Sequence, residues 1–422
     1  INGELGSFYR PDGLLANSKL KWETTISRNF GIDFGFLNNR VNGSLEVYWN
    51  TTKDLLMAVP VDNTTGYSYQ FQNFGKTSNR GIELSVNVDV INKGDFRFNV
   101  GAIYNYNRNK LDELPNADQY LYSSYWGSSS LVPTNDYMFV EGKAIGLVRG
   151  FISEGYYTVD DFNYTNGQYV LKEGVPDITK ALTATYMHPY DLPAGQTAFP
   201  GAAKFRDVDE SGTVDLDDAT CLGEVMPRHT GSFQLNFNYK NFDLSTNFNW
   251  TAGGKVYNVA AMINASGQEF DGIGAQRASW VADAFKVYNV NAAGDLYAVT
   301  NPDELRALNA NAKYHLPYHQ SGITSSEWLE NGSYLRLQTL TLGYTLPKNW
   351  LTKVHVDKIR LYLTATNLFT ITGYSGIDPE VNANPTGQSG FYSDLRIFPT
   401  LNMDFGTYPR ARTFTFGANI TF

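Results

Sequence analysis

Six oxygen-bearing residues in one short stretch have the spacing of a calcium loop. With Asp207 as position 1, side-chain oxygens fall at positions 1, 3 and 5 (Asp207, Asp209, Ser211), and Gly212 takes position 6, where such a loop turns sharply. Thr213 at position 7 would offer its carbonyl, Asp215 at position 9 would act through water, and Asp218 closes the loop at position 12. Asp218 is shorter than the usual Glu and reaches less far, so monodentate binding and moderate affinity for Ca²⁺ are expected. The metal would neutralise crowded carboxylates and stiffen a loop, a structural role rather than a catalytic one. The alternative is an acidic, solvated turn that binds nothing.

Little else in the chain suggests chemistry. There is no nucleophile elbow, Walker loop or zinc motif, and nothing supports an enzyme. His315 and His319 are four apart, but Pro317 between them spoils a helical metal pair; His188, His229 and His355 are scattered. Tyr120, Tyr122, Tyr125 and Trp126 cluster beside a Gly/Ser run, and Tyr156 and Tyr157 follow. Tyr122, Tyr125 and Trp126 are candidates for stacking on a ligand; packing within a loop, or an aromatic girdle at a membrane surface, would use the same residue types.

The elements that would carry these residues are strands. From Thr413 onward, Phe414, Phe416, Ala418, Ile420 and Phe422 alternate with Thr413, Thr415, Gly417, Asn419 and Thr421, which makes a strand oily on one face and neutral-polar on the other. Reading back from there, strands are expected at Lys358–Phe369, Ser333–Leu346, Phe242–Trp250, Ser232–Tyr239, Asp95–Asn107, Gly81–Ile91, Val41–Thr52 and Leu20–Leu37. Leu335 and Leu337 lie on odd positions while Leu340, Leu342 and Tyr344 lie on even ones, so a β-bulge is expected near Thr339. Tight turns at Asn38-Asn39-Arg40, Asn92-Lys93-Gly94 and Lys240-Asn241 alternate with long segments at 57–76, 111–228, 251–331 and 370–409. That asymmetry is typical of outer-membrane barrels, with short periplasmic turns and long extracellular loops. Parity excludes a single extra crossing by the strand-like stretch Phe139–Tyr157, which would invert every later turn; a hairpin within the loop, a pair of crossings or no crossing satisfies it, and a place within the loop is expected.

Composition agrees. Mean hydropathy is -0.33 and no run approaches the roughly 20 apolar residues of a spanning helix. Aromatics nonetheless reach 14%, with 28 Tyr and 26 Phe, against 18% charged residues, a mixture that strands facing both lipid and a wet lumen produce. A formal charge of -9 and a pI near 5.1 argue against nucleic acid as a partner. The one cysteine, Cys221, excludes an intrachain disulfide framework. Ile1 opens in a loop-like stretch, so an export signal is expected to lie elsewhere or to have been removed. About nine strands would leave two open edges in lipid, so the chain is expected to be the C-terminal part of a larger barrel.

Five stretches in this order resemble the SusC/RagA family of TonB-dependent outer-membrane transporters of Bacteroidetes: Phe74–Leu84, Phe205–Asp215, Asn331–Tyr344, Thr366–Thr370 and Gly376-Ile377-Asp378-Pro379-Glu380. The terminal aromatic strand matches too. The resemblance implies an all-β transmembrane antiparallel barrel of 22 strands around an N-terminal plug, with residues 1–422 supplying the last strands and the plug lying outside this chain. It implies import of glycan or peptide fragments across the bacterial outer membrane, under a SusD-like lipoprotein lid and powered by TonB-ExbB-ExbD through the missing N-terminal part. Phe422 would be read by the barrel-assembly machinery, lipid and lipopolysaccharide would surround the wall, and two transporter–lipoprotein units would pair. Gln234, Asn236, Asn238, Arg360 and Glu83 are expected in the polar lumen wall. Two other readings remain at this point, a passive porin-type channel and a secreted, calcium-stabilised β-sandwich lectin.

Overall fold

The computed structural model describes residues 14–67, 69–73, 75–114, 119–124, 131–183, 188–266, 278–316, 322–351, 356–381 and 401–422. Its frame is one antiparallel sheet. We number its strands β1 (Thr24–Ile26), β2 (Asn29–Phe36), β3 (Val41–Lys53), β4 (Lys76–Lys93), β5 (Phe96–Glu113), β6 (His229–Tyr239), β7 (Phe242–Ala252), β8 (Tyr334–Thr345), β9 (Lys358–Thr372) and β10 (Thr413–Thr421). From β3 to β10 each strand pairs with the next, and β1 and β2 both pair with β3. Those two pieces form one crossing, so the sheet crosses nine times. The expected single strand Leu20–Leu37 is corrected here: it breaks at Ser27-Arg28, where the Trp49 amide reaches the Arg28 carbonyl at 3.0 Å. Both pieces keep one register against β3, Ile26 facing Thr51 and Asn29 facing Tyr48, so the break interrupts pairing without turning any side chain to the other face.

Register explains why the strands take this arrangement. Phe36, Val41, Val88, Val100 and Leu235 lie side by side on five neighbouring strands, as do Phe237, Leu244, Leu342, Leu363 and Phe416 further round. Every apolar set falls on the same face, and that face stays uncovered: Phe414 is 67% exposed and Phe416 is 74% exposed. A soluble sandwich would bury this face under a second sheet, so the lectin reading does not fit. On β5 the outward positions from Phe96 to Tyr106 cover about 34 Å of strand at ~3.4 Å per residue. Tilted by about 40°, that height becomes roughly 26 Å, close to the apolar band of a transmembrane barrel. No helix among the described residues is long and apolar enough to cross a membrane.

The bulge is where the phase slip places it. Asn247 faces Thr339 and the next residue, Phe248, faces Leu337, so Gln338 is the extra residue and the leucines on both sides still point outward. Tight turns use residues tolerant of left-handed backbone: Asn38 and Asn39 at φ of 55° and 66°, and Gly94 at 58°. At the other end, β4 and β5 run 18 residues each, far more than a crossing needs, and rise into a thick loop layer. Phe139–Tyr157 belongs to that layer. Tyr137–Val140 and Leu147–Gly150 pair with each other in a small four-stranded sheet away from the wall. The two large apolar cores are also there, one around Tyr157, Phe199 and Phe205, the other around Tyr137, Tyr257 and Met262.

Candidate functional site

The acidic loop is held at both ends by short strands. Ala203–Phe205 pairs with Ser153–Tyr156, and Thr213–Val214 lies parallel to Asp177–Ile178, with Phe205 and Val214 buried as anchors. Between them, Gly212 takes φ 86°, and its amide donates to Asp207 Oδ2 at 2.7 Å. The Ser211 amide donates to Asp207 Oδ1 at 3.1 Å and to Asp209 Oδ1 at 3.0 Å. Hydrogen bonds from Ser211 hold the Asp209 carboxyl below the usual carboxylate range. Asp218 is fully buried; its Oδ1 accepts from the Val208 amide at 2.5 Å and its Oδ2 from the Asp215 amide at 2.8 Å. Carboxylate oxygens of Asp207, Asp209 and Asp218 all lie within 4.8 Å of one another.

Three of the six expected ligands therefore converge as carboxylates, and they are the hard oxygen donors that Ca²⁺ takes. Asp215 lies outside the trio and caps the short turn Leu216–Asp218 by accepting from the Asp217 amide at 2.8 Å. Thr213 presents its carbonyl inward, where Ser211 Oγ donates to it at 3.0 Å. A residue set that crowds negative charge around one buried carboxylate suits a divalent cation.

The aromatic candidates fare differently. Tyr122 is only 4% exposed, stacked between Tyr137 at 5.6 Å and Phe139 at 4.8 Å, so it offers no face to a ligand. Tyr125 and Trp126 lie outside the described residues. Tyr157 is buried, and its hydroxyl donates to the Pro176 carbonyl at 2.7 Å. A concave aromatic site does exist elsewhere in the layer, a cavity of about 210 Å³ lined by Trp280, Tyr314, Trp328, Glu327, Glu330 and Ser375. Trp280 stacks on Tyr314 at 3.9 Å and lies 5.3 Å from Trp328, while its buried Nε1 has no hydrogen-bond partner among the described residues. Burial raises the Glu327 carboxyl above its ordinary range, with nearby His315 opposing. Glu330 is already occupied, accepting from Asn258 Nδ2, Ser375 Oγ and the Ser375 amide, each at 2.7 Å. Sequence reasoning passed over this group because its members lie tens of residues apart; the scarcity of Trp, seven in the chain, was the one available signal.

The inward face of the wall is a ladder of amides and hydroxyls. Gln234, Asn236 and Asn238 all point there, facing Asn247, Ser245 and Asp243, and Ser245 Oγ donates to Asn236 Oδ1 at 2.7 Å. Glu83 sits beside Glu46 and Asn105. Arg360 is on this face but is not a bare cation: it pairs with both oxygens of Asp243, at 2.9 and 2.5 Å. Gly343 makes room for the pair, since a Cβ there would meet Arg360 Nη2 at 2.4 Å and Asp243 Oδ1 at 2.5 Å.

An apolar belt outside, a hydrogen-bonding wall inside and a folded layer over the long loops define part of an outer-membrane β-barrel. Comparison with known proteins narrows this. The family described as "TonB dependent receptor-like, beta-barrel" matches residues 3–368. The chain is 30% identical over 408 residues to TonB-dependent receptor P3 of Formosa agariphila, covering 96% of this chain and 35% of that protein. It is 27% identical over 416 residues to TonB-dependent receptor SusC of Bacteroides thetaiotaomicron, covering 96% of this chain and 32% of that one. Among solved structures it resembles the RagAB peptide importer in its closed-closed state, with a TM-score of 0.65, 21% identity, and coverage of 96% of this chain and 36% of that chain. The chain belongs to the TonB-dependent receptor-like β-barrel family, in its SusC/RagA branch, and is an outer-membrane protein. The family is one of receptors and transporters. The chain spans about a third of the length of these relatives.

Proposed function

We propose that this chain forms the C-terminal wall and outer loop layer of a TonB-dependent importer of oligosaccharide or peptide fragments. Family membership carries the reading, and the inward ladder of Asn, Gln, Ser and Thr supports it. Neutral amides and hydroxyls trade hydrogen bonds with sugar hydroxyls or peptide groups without binding either too tightly to release. The cavity at Trp280, Tyr314 and Trp328 is the contact we propose for ligand in the loop layer, reached from the side of half-buried Tyr314 and exposed Ser375. A SusD-like surface lipoprotein would close over the same layer, and TonB-ExbB-ExbD would act through parts of the protein beyond this chain. Ca²⁺ at Asp207, Asp209 and Asp218 would lock the loop beneath that lid, with Ser211 Oγ and the Thr213 carbonyl as further ligands. Phe422, at the end of β10, is proposed as the residue that the barrel-assembly machinery reads.

The test is uptake by cells carrying the full-length protein, with and without TonB. The reading expects a surface lipoprotein to co-purify and uptake to vanish without TonB. Uptake that persists at the same rate without TonB would favour a passive channel instead.

A further inference from the structure

Above the apolar belt, the outward face of the first four strands turns abruptly basic. Trp49 faces Arg80, Arg80 faces Arg108, and the Trp49 amide reaches the Arg28 carbonyl, so all four residues share one level on neighbouring strands. Lys53 lies four residues higher on Trp49's side of β3. These side chains are exposed, and among the described residues Arg28, Lys53, Arg80 and Arg108 have no ion-pair or side-chain hydrogen-bond partner. Lysines higher on β4 and β5 are by contrast neutralised, Lys76 by Glu113 at 2.8 Å and Lys110 by Asp112 at 3.4 Å.

Their height identifies the partner. Arg108 follows directly on the outward series that ends at Tyr106, so the row stands just above the apolar band, at the level of lipid headgroups. Four residues below Arg108 on β5, the row of Tyr104 runs through Gly231 to Trp250, Leu335 and Ile371, all uncharged. Beneath the row, an open depression of about 540 Å³ lies against Val47, Trp49, Arg80, Ile82 and Tyr106. Four strands spaced ~4.8 Å apart make a strip about 15 Å wide. A long-stemmed cation beside an interfacial tryptophan suits an anionic headgroup above and an acyl chain below.

We propose that Arg28, Lys53, Arg80 and Arg108 form a binding site for the phosphate groups of the outer-leaflet glycolipid, lipopolysaccharide, with an acyl chain resting in the depression between Trp49 and Tyr106. The site faces away from the lumen and does not depend on the transported substrate.

The experiment uses the full-length protein, purified and delipidated in detergent. Its binding of phosphorylated lipid A is compared with that of the same lipid stripped of phosphate, and with inorganic phosphate. Binding should require the phosphorylated lipid. The double variant Arg80→Ala/Arg108→Ala should bind it about 30-fold more weakly, the product of roughly fivefold per cation at an anionic lipid surface. Arg80→Lys/Arg108→Lys should keep most of the binding, and Lys240→Ala, in a turn at the opposite membrane face, should keep all of it. Heat-modifiable gel migration verifies that each barrel is folded. Equal binding of the dephosphorylated lipid, equal competition by inorganic phosphate, or an unchanged double alanine variant would each overturn the proposal.

Discussion

Arg336 offers the sharpest test of how the last external loop is tied to the wall. It sits inward near the top of β8 and is only 2% exposed. Its Nη2 meets Asp378 Oδ1 at 2.5 Å, its Nε donates to Thr370 Oγ1 at 3.1 Å, and its Nη1 lies 3.1 Å from Glu380 Oε2, an ion pair without hydrogen-bond alignment. Its guanidinium stands 5.5 Å from the ring centre of Tyr334. Glu380 in turn pairs with Arg410 at 2.7 Å, and Asp378 Oδ1 also accepts from the Glu380 amide at 2.9 Å. In Arg336→Met the carboxylate of Asp378, 9% exposed, loses its counter-charge. Breaking one side of a buried pair costs about 3–5 kcal/mol, whereas removing both sides is often neutral. Because the pair joins a loop to a wall that has its own ladder of hydrogen bonds, the loss should appear locally. At about 3 kcal/mol, amide exchange in residues 373–381 should speed up by on the order of 100-fold, at 1.4 kcal/mol per decade. Hydrogen–deuterium exchange on the folded protein reads this directly. Arg336→Met/Asp378→Asn should recover most of the protection. Unchanged exchange in the single variant would refute the tether; a double variant as loose as the single would assign the effect to packing rather than charge.

Three further outcomes are expected. Saturating Ca²⁺, near 100 times its dissociation constant, should raise stability of the loop layer by about 2.7 kcal/mol over EGTA. Asp209→Asn, at an exposed ligand, should shrink that increment while leaving stability in EGTA unchanged; identical melting of the unmodified protein in both media rules the metal out. Glu327 has a raised carboxyl pKa in the folded state, so the fold binds a proton that the unfolded chain has already lost. Stability of the cleft should therefore be greatest below the ordinary Glu pKa of about 4.3 and fall as pH rises through the raised value. Glu327→Gln should flatten that slope in Trp fluorescence unfolding curves, and a slope that persists in the variant would assign it to another group. At Gly417 a Cβ would stand 2.4 Å from Tyr362 Cζ, because that ring lies across the glycine. Gly417→Val should cost roughly 1–3 kcal/mol by overpacking, and Tyr362→Ala should relieve it in the double variant; urea midpoints decide.

What could be read from residues alone was whatever repeats with period two. The faces of β10, the phase slip near Thr339 and the turns at Asn38-Asn39 follow from side-chain alternation and backbone preference, which are local. The calcium spacing was legible for the same reason, since twelve consecutive residues either carry oxygens at the right places or do not. Tyr122 misled because its neighbours are Gly and Ser, which look like an exposed loop, while the partners that bury it, Tyr137 and Phe139, arrive from a strand that the alternation could not assign to a place. Trp280, Tyr314 and Trp328 form one cleft only after two helical turns and a loop fold over each other.

Arg336 and Asp378 show the same limit from the other side. Both lie in stretches that resemble known transporters, yet their separation of 42 positions hides the pairing. The basic row goes further, because nothing in the spacing of Arg28, Trp49, Arg80 and Arg108 along the chain relates them. Strand register alone places them side by side, and a one-residue slip on any of these strands would turn its member inward to the lumen. The same register that gathers Phe414, Leu363 and Leu342 into a lipid-facing belt therefore sets the headgroup-level charges above it. A barrel wall of this kind specifies its lipid contacts through pairing, and the substitutions that would erase them need not touch a single apolar residue.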